Sequence, residues 1–392
     1  MRRVLVTGLG AVSPFGAGVK ALWAGLAAGV CAIRPLRLID AEGFRCRIAA
    51  EVPEIATGSS RRSRADRLAL GAAREAMEDA GLGVEERADA ALIVGAVGGG
   101  MLEAERWYWA RARGERAPGW AASLRSILPA AHAETLAHRM ALGGPRHTVV
   151  TACSSGAVAL AEAAELIADG VVDCAVAGGV DAVTRLCFMG FNALKLLDPQ
   201  PCRPFDRERR GMSIGEGAAF VVLEADEHAR ARGAPVYAEL AGHGMTTDAY
   251  HVTAPQPDGE GMARAMGAAL AAAGLPAGAV GYVNAHGTAT PQNDRIEARA
   301  IARVFGAGRV LVSSSKSMIG HTMAAAGSLE AVATILALTH ETVPPTANLT
   351  TPDPEVDFDC VPRVAREVAV EHAISNSFGF GGQNVTLLFR RA

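Results

Sequence analysis

Apolar and polar positions repeat along this chain in an order that occurs twice. Segment 68–100, LALGAAREAMEDAGLGVEERADAALIVGAVGGG, opens as an alanine-rich amphipathic helix that closes on Ala-Gly-Leu. A short linker, an apolar strand and a glycine-containing loop follow it. Segment 261–290, GMARAMGAALAAAGLPAGAVGYVNAHGTAT, goes through the same steps, again with Ala-Gly-Leu at the helix end. A second pair, 147–170 and 309–341, reads in each case as a strand, a loop of small residues, then a helix. A third pair, GAAFVVLEADE (217–227) and GGQNVTLLFRR (381–391), reads as strands that follow glycines. The shared order predicts a duplicated α/β unit, joined near Arg232-Gly233-Ala234-Pro235, with halves at 1–232 and 233–392. Strands that alternate with helices predict sheets covered by helices.

In a pseudo-symmetric pair, equivalent loops lie near a common axis. The first copy's loop, in VVTACSSG, carries Cys153, and the second copy's matching loop carries Lys316 and His321. The loop after the other matched strand carries His286 in NAHGTATPQND, and ISNSFGFGGQN (374–384) adds backbone amides and two aromatics. Cys153 stands where a β-branched run turns into a helix. Free N–H groups and partial positive charge at a helix start favour a thiolate. The turn therefore predicts a nucleophile whose thiol pKa is lowered to about 7 or below. Neutral imidazoles at 286 and 321 would donate hydrogen bonds to an oxygen that gains charge, each worth about 3–4 kcal/mol in a dry site. Glu330 lies inside the apolar stretch AAAGSLEAVATIL, and Lys316 is its candidate partner. The competing reading of a cysteine is a small buried hydrophobe, and of a lone histidine a satisfied structural residue.

Composition narrows the class. The chain has 392 residues, half of them hydrophobic and a fifth charged, with a net charge of −3. That balance excludes a nucleic-acid binder, whose basic excess would show. No run of 18 apolar residues exists, so no membrane span is expected. The start, MRRVLVTGLGAVSPFG, reads as a strand from Val4 to Thr7 rather than a signal peptide, and a cytoplasmic location is expected. Seven cysteines stand at 31, 46, 153, 174, 187, 202 and 360 without a CxxC pair. An odd, irregular set predicts neither a disulfide framework nor a zinc site.

TACSSG, NAHGTATPQND, SSSKSMIGHTMAAAGSLEA and NSFGFGGQN resemble the four active-site stretches of the elongating β-ketoacyl-acyl-carrier-protein synthases. CRPFDRERRGMSIGEGAAFVVLE (202–224) and the start VLVTGLGAVSPFG resemble further stretches of that family, in order and nearly end to end. The resemblance implies an α/β, thiolase-like fold of five layers, αβαβα, with two duplicated halves. It implies a homodimer, or a heterodimer with a related subunit, that works on acyl carrier protein. By motif match, Cys153 is the nucleophile, His286 and His321 the catalytic pair, Lys316 the active-site lysine and Glu330 the acid it leans on. Phe380 matches the residue that gates the acyl pocket, and its amide would form the oxyanion hole with that of Cys153. Thr288 and Thr290 match the threonines that bond the pantetheine arm. Phe378 matches an aromatic of the closing loop, and Phe191 a tunnel-lining residue.

The implied reaction is decarboxylative Claisen condensation of an acyl chain with malonyl-acyl carrier protein, in fatty acid or type II polyketide or polyene synthesis. It needs neither a metal nor an organic cofactor, because the thioesters carry the activation. Residues 99–146 fit the family least, which leaves acyl length open. A thiolase would need a second cysteine in the closing loop, and a starter-type synthase an asparagine in place of the second histidine. A silent partner resembling a chain-length factor would lack the cysteine. Acidic carrier proteins would be met by RRSRADR, with Arg61, Arg62, Arg64 and Arg67, and by Lys195 near the tunnel mouth. The alternative for that run is a solvated charged face.

Overall fold

The computed structural model describes residues 2–53, 62–116 and 121–392. In the first half run strands β1 (Val4–Ser13), β2 (Ala91–Ala96), β3 (Arg146–Val149), β4 (Cys174–Asp181) and β5 (Gly217–Ala225). In the second run β6 (Ala238–Thr247), β7 (Tyr282–Asn284), β8 (Leu311–Ser313), β9 (His372–Gly379) and β10 (Gln383–Arg391). Helices α1 (Arg64–Asp79), α2 (Ala130–Met140) and α3 (Ser155–Ala168) correspond to α4 (Glu260–Ala273), α5 (Pro291–Phe305) and α6 (Ala326–Thr339).

The strand order is β8-β7-β9-β10-β6-β1-β5-β4-β2-β3, symmetric about the β1–β6 junction. Moving outward from that junction, each half has two antiparallel pairings and then two parallel ones. The halves join edge to edge, Leu5 opposite Glu239 and Val6 opposite Ala238. Even the irregularities repeat. The register slips between Val6 and Gly8 in β1, and between Leu240 and Gly242 in β6.

Small residues explain how closely the layers pack. A Cβ on Gly8 or Gly10 would come within 2.2 or 1.9 Å of the Ala76 or Ala72 carbonyl of α1. On Gly242 or Gly244 it would come within 2.5 or 2.1 Å of the Ala269 or Ala265 carbonyl of α4. Both helices end as their Ala-Gly-Leu sequences require. Gly81 and Gly274 take φ of 64°, and Leu82 and Leu275 donate back to Met77 and Leu270, each at 3.0 Å. This left-handed cap has no Cβ penalty at glycine.

α1 and α2 cover the outer face of one half and α4 and α5 that of the other, while α3 and α6 pack between the two halves of the sheet. The result is the expected order αβαβα. α6 is buried from Ala326 through Leu338, as an inner-layer helix that is apolar on all sides must be. α3 and α6 touch at their starts: a Cβ on Gly156 would lie 2.7 Å from Ala324 O, and one on Gly327 2.6 Å from Ala157 N. The loops before these helices are thereby brought together beside the carboxyl ends of the parallel strands, where open α/β sheets place their ligands. No described helix is long and apolar enough to cross a membrane.

Candidate active site

Cys153 lies in a 3-10 turn, Ala152–Ser154, immediately before α3. Ala152 has a φ of 51°. A non-glycine residue in this region is strained, and such strain survives where neighbours over-determine it. Here Ser155 Oγ holds the turn, accepting from Thr151 N–H at 2.9 Å and donating to Ala152 O at 2.7 Å. The backbone N–H groups of Phe380 and of Cys153 itself face the sulfur. Gly379 permits this approach, since a Cβ there would stand 3.1 Å from Thr151 O and 3.4 Å from Cys153 N.

His286 and His321 meet edge to face, with ring centroids 5.4 Å apart. Burial first, then the charge of Lys316, pushes both imidazoles well below the ordinary histidine range. They are neutral at pH 7 and can donate. Met323 N–H donates to His321 Nδ1 at 3.2 Å, so the proton of that ring sits on Nε2, a buried atom without a partner. Lys316 Nζ lies 2.5 Å from Glu330 Oε1, both residues 1% exposed. Burial pushes Glu330 up to about 7, against the pull of Lys316. The pair stands behind the cavity wall and acts on the histidines through charge.

A cavity of about 470 Å³ connects these groups to the surface. Cys153, His286, His321, Phe378, Phe380, Phe191, Thr288 and Thr290 all line it. Thr288 and Thr290 hydroxyls lie 2.9 Å apart. The Phe380 ring stands 5.9 Å from that of Phe191. The loop of Phe380 is tied to segment 248–256: Gly381 N–H donates to Val252 O at 3.0 Å, and Asp248 N–H to Gly382 O at 2.9 Å. Among the described residues, no group of three or more His, Cys, Asp or Glu side chains could hold a metal.

Two sequence expectations need correction. Cys153 is not a depressed-pKa thiol. Burial pushes it up to about 11, although the Phe380 amide and Lys316 pull the other way. The helix-start argument left out desolvation, which disfavours the charged form. Only the thiolate alkylates, so the iodoacetamide rate of the free protein should rise about tenfold per pH unit from about pH 7 to about pH 10. A plateau near pH 8 would return Cys153 to the activated class.

The second correction concerns docking. Arg64 is not a surface cation. It is buried and pairs with the fully buried Glu216 at 2.5 Å. Glu216 also accepts the N–H groups of Val52 at 2.8 Å and Val183 at 3.1 Å. Removing one partner of such a pair strands the other charge, at about 3–5 kcal/mol. Arg64→Ala should lose that much unfolding free energy in urea, and a loss below about 1 kcal/mol would show the pair to be idle. Arg61 lies outside the described residues. Arg62 and Arg67 are half-buried, whereas Lys195 is exposed and sits between Leu194 and Leu196 of the cavity wall.

Sequence reasoning missed two buried carboxylates. Glu297 accepts the N–H groups of His286 and Gly287, each at 2.8 Å, and burial pushes it up to about 7. Asp294 accepts from Phe205 N–H at 2.8 Å and Ala289 N–H at 3.0 Å. A signal existed: Arg295, Arg299 and Arg303 mark the outer face of α5, which turns Asn293, Asp294 and Glu297 inward.

Known proteins carry the same architecture. Residues 1–229 match the β-ketoacyl synthase N-terminal domain and residues 237–350 the C-terminal domain. The chain belongs to the β-ketoacyl synthase family. It is 41% identical to the 3-oxoacyl-[acyl-carrier-protein] synthase 2 of Synechocystis sp., over 100% of this chain and 98% of that protein. It is 42% identical to the same-named protein of Rhizobium meliloti, over 100% and 99%. Among solved structures, the ishigamide ketosynthase/chain length factor superposes with a TM-score of 0.93 at 37% identity, covering 100% of this chain and 99% of that one. A β-ketoacyl synthase from Burkholderia phymatum gives 0.92 at 35%, covering 100% of both. A type II PKS acyl-carrier protein in complex with its ketosynthase gives 0.90 at 33%, covering 100% and 99%. The fold is that of the thiolase-like ketosynthases, and the chain is an acyltransferase.

Proposed function

We propose that the chain elongates an acyl group held on Cys153 with two carbons from malonyl-acyl carrier protein, as a 3-oxoacyl-[acyl-carrier-protein] synthase. The convergence of one thiol, two inward amides and two neutral imidazoles on a single cavity carries this reading. In the first step the sulfur of Cys153 attacks the thioester carbon of an acyl-carrier protein. The carbonyl oxygen gains charge beside the N–H groups of Cys153 and Phe380. The carrier's thiol leaves with the proton that Cys153 gives up, so no free thiolate is needed beforehand. In the second step malonyl-carrier protein loses carbon dioxide. Its thioester oxygen takes the enolate charge, and His286 and His321 donate to it. The enolate carbon attacks the acyl-cysteine, the carbon–sulfur bond breaks, and Cys153 takes up a proton as the 3-oxoacyl product forms.

The remaining roles follow from position. Lys316 adds its charge to the burial that keeps both histidines neutral, and Glu330 pairs with it in the core. Thr288 and Thr290 would take the polar groups of the pantetheine arm, Phe191 would line the acyl tunnel, Phe378 would stand in the closing loop, and Phe380 would gate access between loading and extension. Lys195 and Arg62 would meet an acidic carrier surface. The outer edge of β3, together with exposed Ile127, Leu128 and Val150, supports a dimer with a second copy or a related subunit. Retention of Cys153 weighs against a silent partner. The test is intact-mass analysis after incubation with acyl-carrier proteins of increasing chain length, followed by malonyl-carrier protein. Acylation at Cys153 and a 3-oxoacyl product two carbons longer are expected. No adduct with any chain length would end this reading.

A further inference from the structure

The duplication builds the anion hole twice. Cys153 lies in the turn Ala152–Ser154 before α3, and Ala324 in the turn Met323–Ala325 before α6. Ala152 and Met323, which open the two turns, share the left-handed conformation at φ 51° and 56°. Phe380 directly follows β9, and Ala182 directly follows β4. In the first copy the amides of Cys153 and Phe380 face the sulfur. In the second, the equivalent amide of Ala324 donates to the carboxylate of Asp181, and that of Ala182 faces the same carboxylate. Asp181 Oδ2 accepts from Ala324 N–H at 3.1 Å, and Oδ1 from Gly98 N–H at 2.9 Å. Gly98 stands two residues beyond β2, as His286 stands two beyond β7. The second hole is therefore filled by an anion of the chain itself.

This internal anion sits next to the chemistry. The turn that Asp181 clamps through Ala324 also carries Met323, whose N–H donates to His321 Nδ1 at 3.2 Å. That bond leaves the proton of His321 on Nε2, in a ring that lines the cavity. Asp181 is 2% exposed and lies outside the cavity lining, so it reaches the reacting groups through the turn and through its charge, which pushes the Cys153 thiol up.

We propose that Asp181 is a positioning residue for His321: by clamping the Ala324 amide it fixes the Met323–Ala325 turn, and through Met323 N–H it holds His321 as an Nε2 donor facing the cavity. The proposal rests on the role given to His321 above. A residue that only held the fold together would affect both half-reactions alike. One that orients His321 slows decarboxylation but not acyl loading, which uses the Cys153 and Phe380 amides and a thiol that the Asp181 charge only pushes up.

Asp181→Ala tests it, since alanine offers the N–H groups of Ala324 and Gly98 no acceptor. Carbon dioxide release from malonyl-carrier protein should fall by about tenfold to about a hundredfold, as for a displaced reacting group, while acyl loading of Cys153 falls by no more than about twofold. Nitrogen-15 NMR of histidine-labelled wild type should show His321 Nδ1 unprotonated, and the variant a mixture of tautomers. Asp181→Val, which fills the space without an acceptor, is the second variant under the same criteria should alanine prevent folding. Equal losses of loading and release would reduce Asp181 to a fold clamp and overturn the proposal. A protonated His321 Nδ1 in the wild type would overturn it as well. His321→Ala, run in parallel, separates the two levels. Normal release in that variant removes the role of His321 itself, whereas lost release there with normal release in Asp181→Ala removes only the role of Asp181.

Discussion

Cys153→Ala is expected to abolish acyl loading and condensation while sparing release of carbon dioxide from malonyl-carrier protein. Among the described residues, the sulfur is the nucleophilic atom that the Cys153 and Phe380 amides face. The other cysteines lie outside the cavity lining, so none can take over. Alanine keeps the backbone N–H at this position and fits the turn, whose hydrogen bonds come from Ser154 and Ser155 rather than the thiol. The variant should therefore fold and still bind. His286 and His321 keep their charge state, because burial and Lys316 set it. The half-reaction that uses only the histidines then survives. Intact mass after exposure to acyl-carrier protein checks the first part, and carbon dioxide release checks the second. An acyl-enzyme formed by the alanine variant would remove Cys153 from the mechanism.

The duplication could be read in the sequence because both copies spend the same residue types on the same tasks. Ala-Gly-Leu closes α1 and α4 since each helix needs a left-handed cap. Glycines recur in β1 and β6 since each strand lies directly under an alanine-rich helix. Cys153, His286 and His321 were legible for a related reason: each stands in a run of small residues at a strand end, where little else could be packing. What stayed hidden depends on contacts distant in sequence. RRSRADR reads as a charged surface, and only the fold brings Glu216 to Arg64. A helix start suggests a thiolate at Cys153, and only burial reverses the direction. Asp181 is a lone carboxylate at the end of an apolar strand. Its meaning emerges only when the two halves are superposed in three dimensions.

The two histidines carry the second large effect. His286→Ala or His321→Ala should each lower carbon dioxide release from malonyl-carrier protein by about a hundredfold or more, the cost of losing one donor to a developing oxyanion. Decarboxylation leaves negative charge on the thioester oxygen, and a neutral N–H stabilises it without first giving up a proton. A protonated imidazole beside Lys316 would be destabilised by like charge and by desolvation, which is why both rings sit well below the ordinary histidine range. The sign of the pH dependence follows. Both rings stay neutral through the range in which an ordinary histidine titrates, since burial and Lys316 displace them well below it. Release should consequently show no loss between about pH 8 and about pH 6 that is traceable to histidine protonation. Acyl loading should suffer far less in either variant, because its oxyanion lies between the Cys153 and Phe380 amides rather than at the rings. Carbon dioxide release at the wild-type rate in both variants would take the histidines out of the reaction and leave their neutral, inward-facing nitrogens without a function.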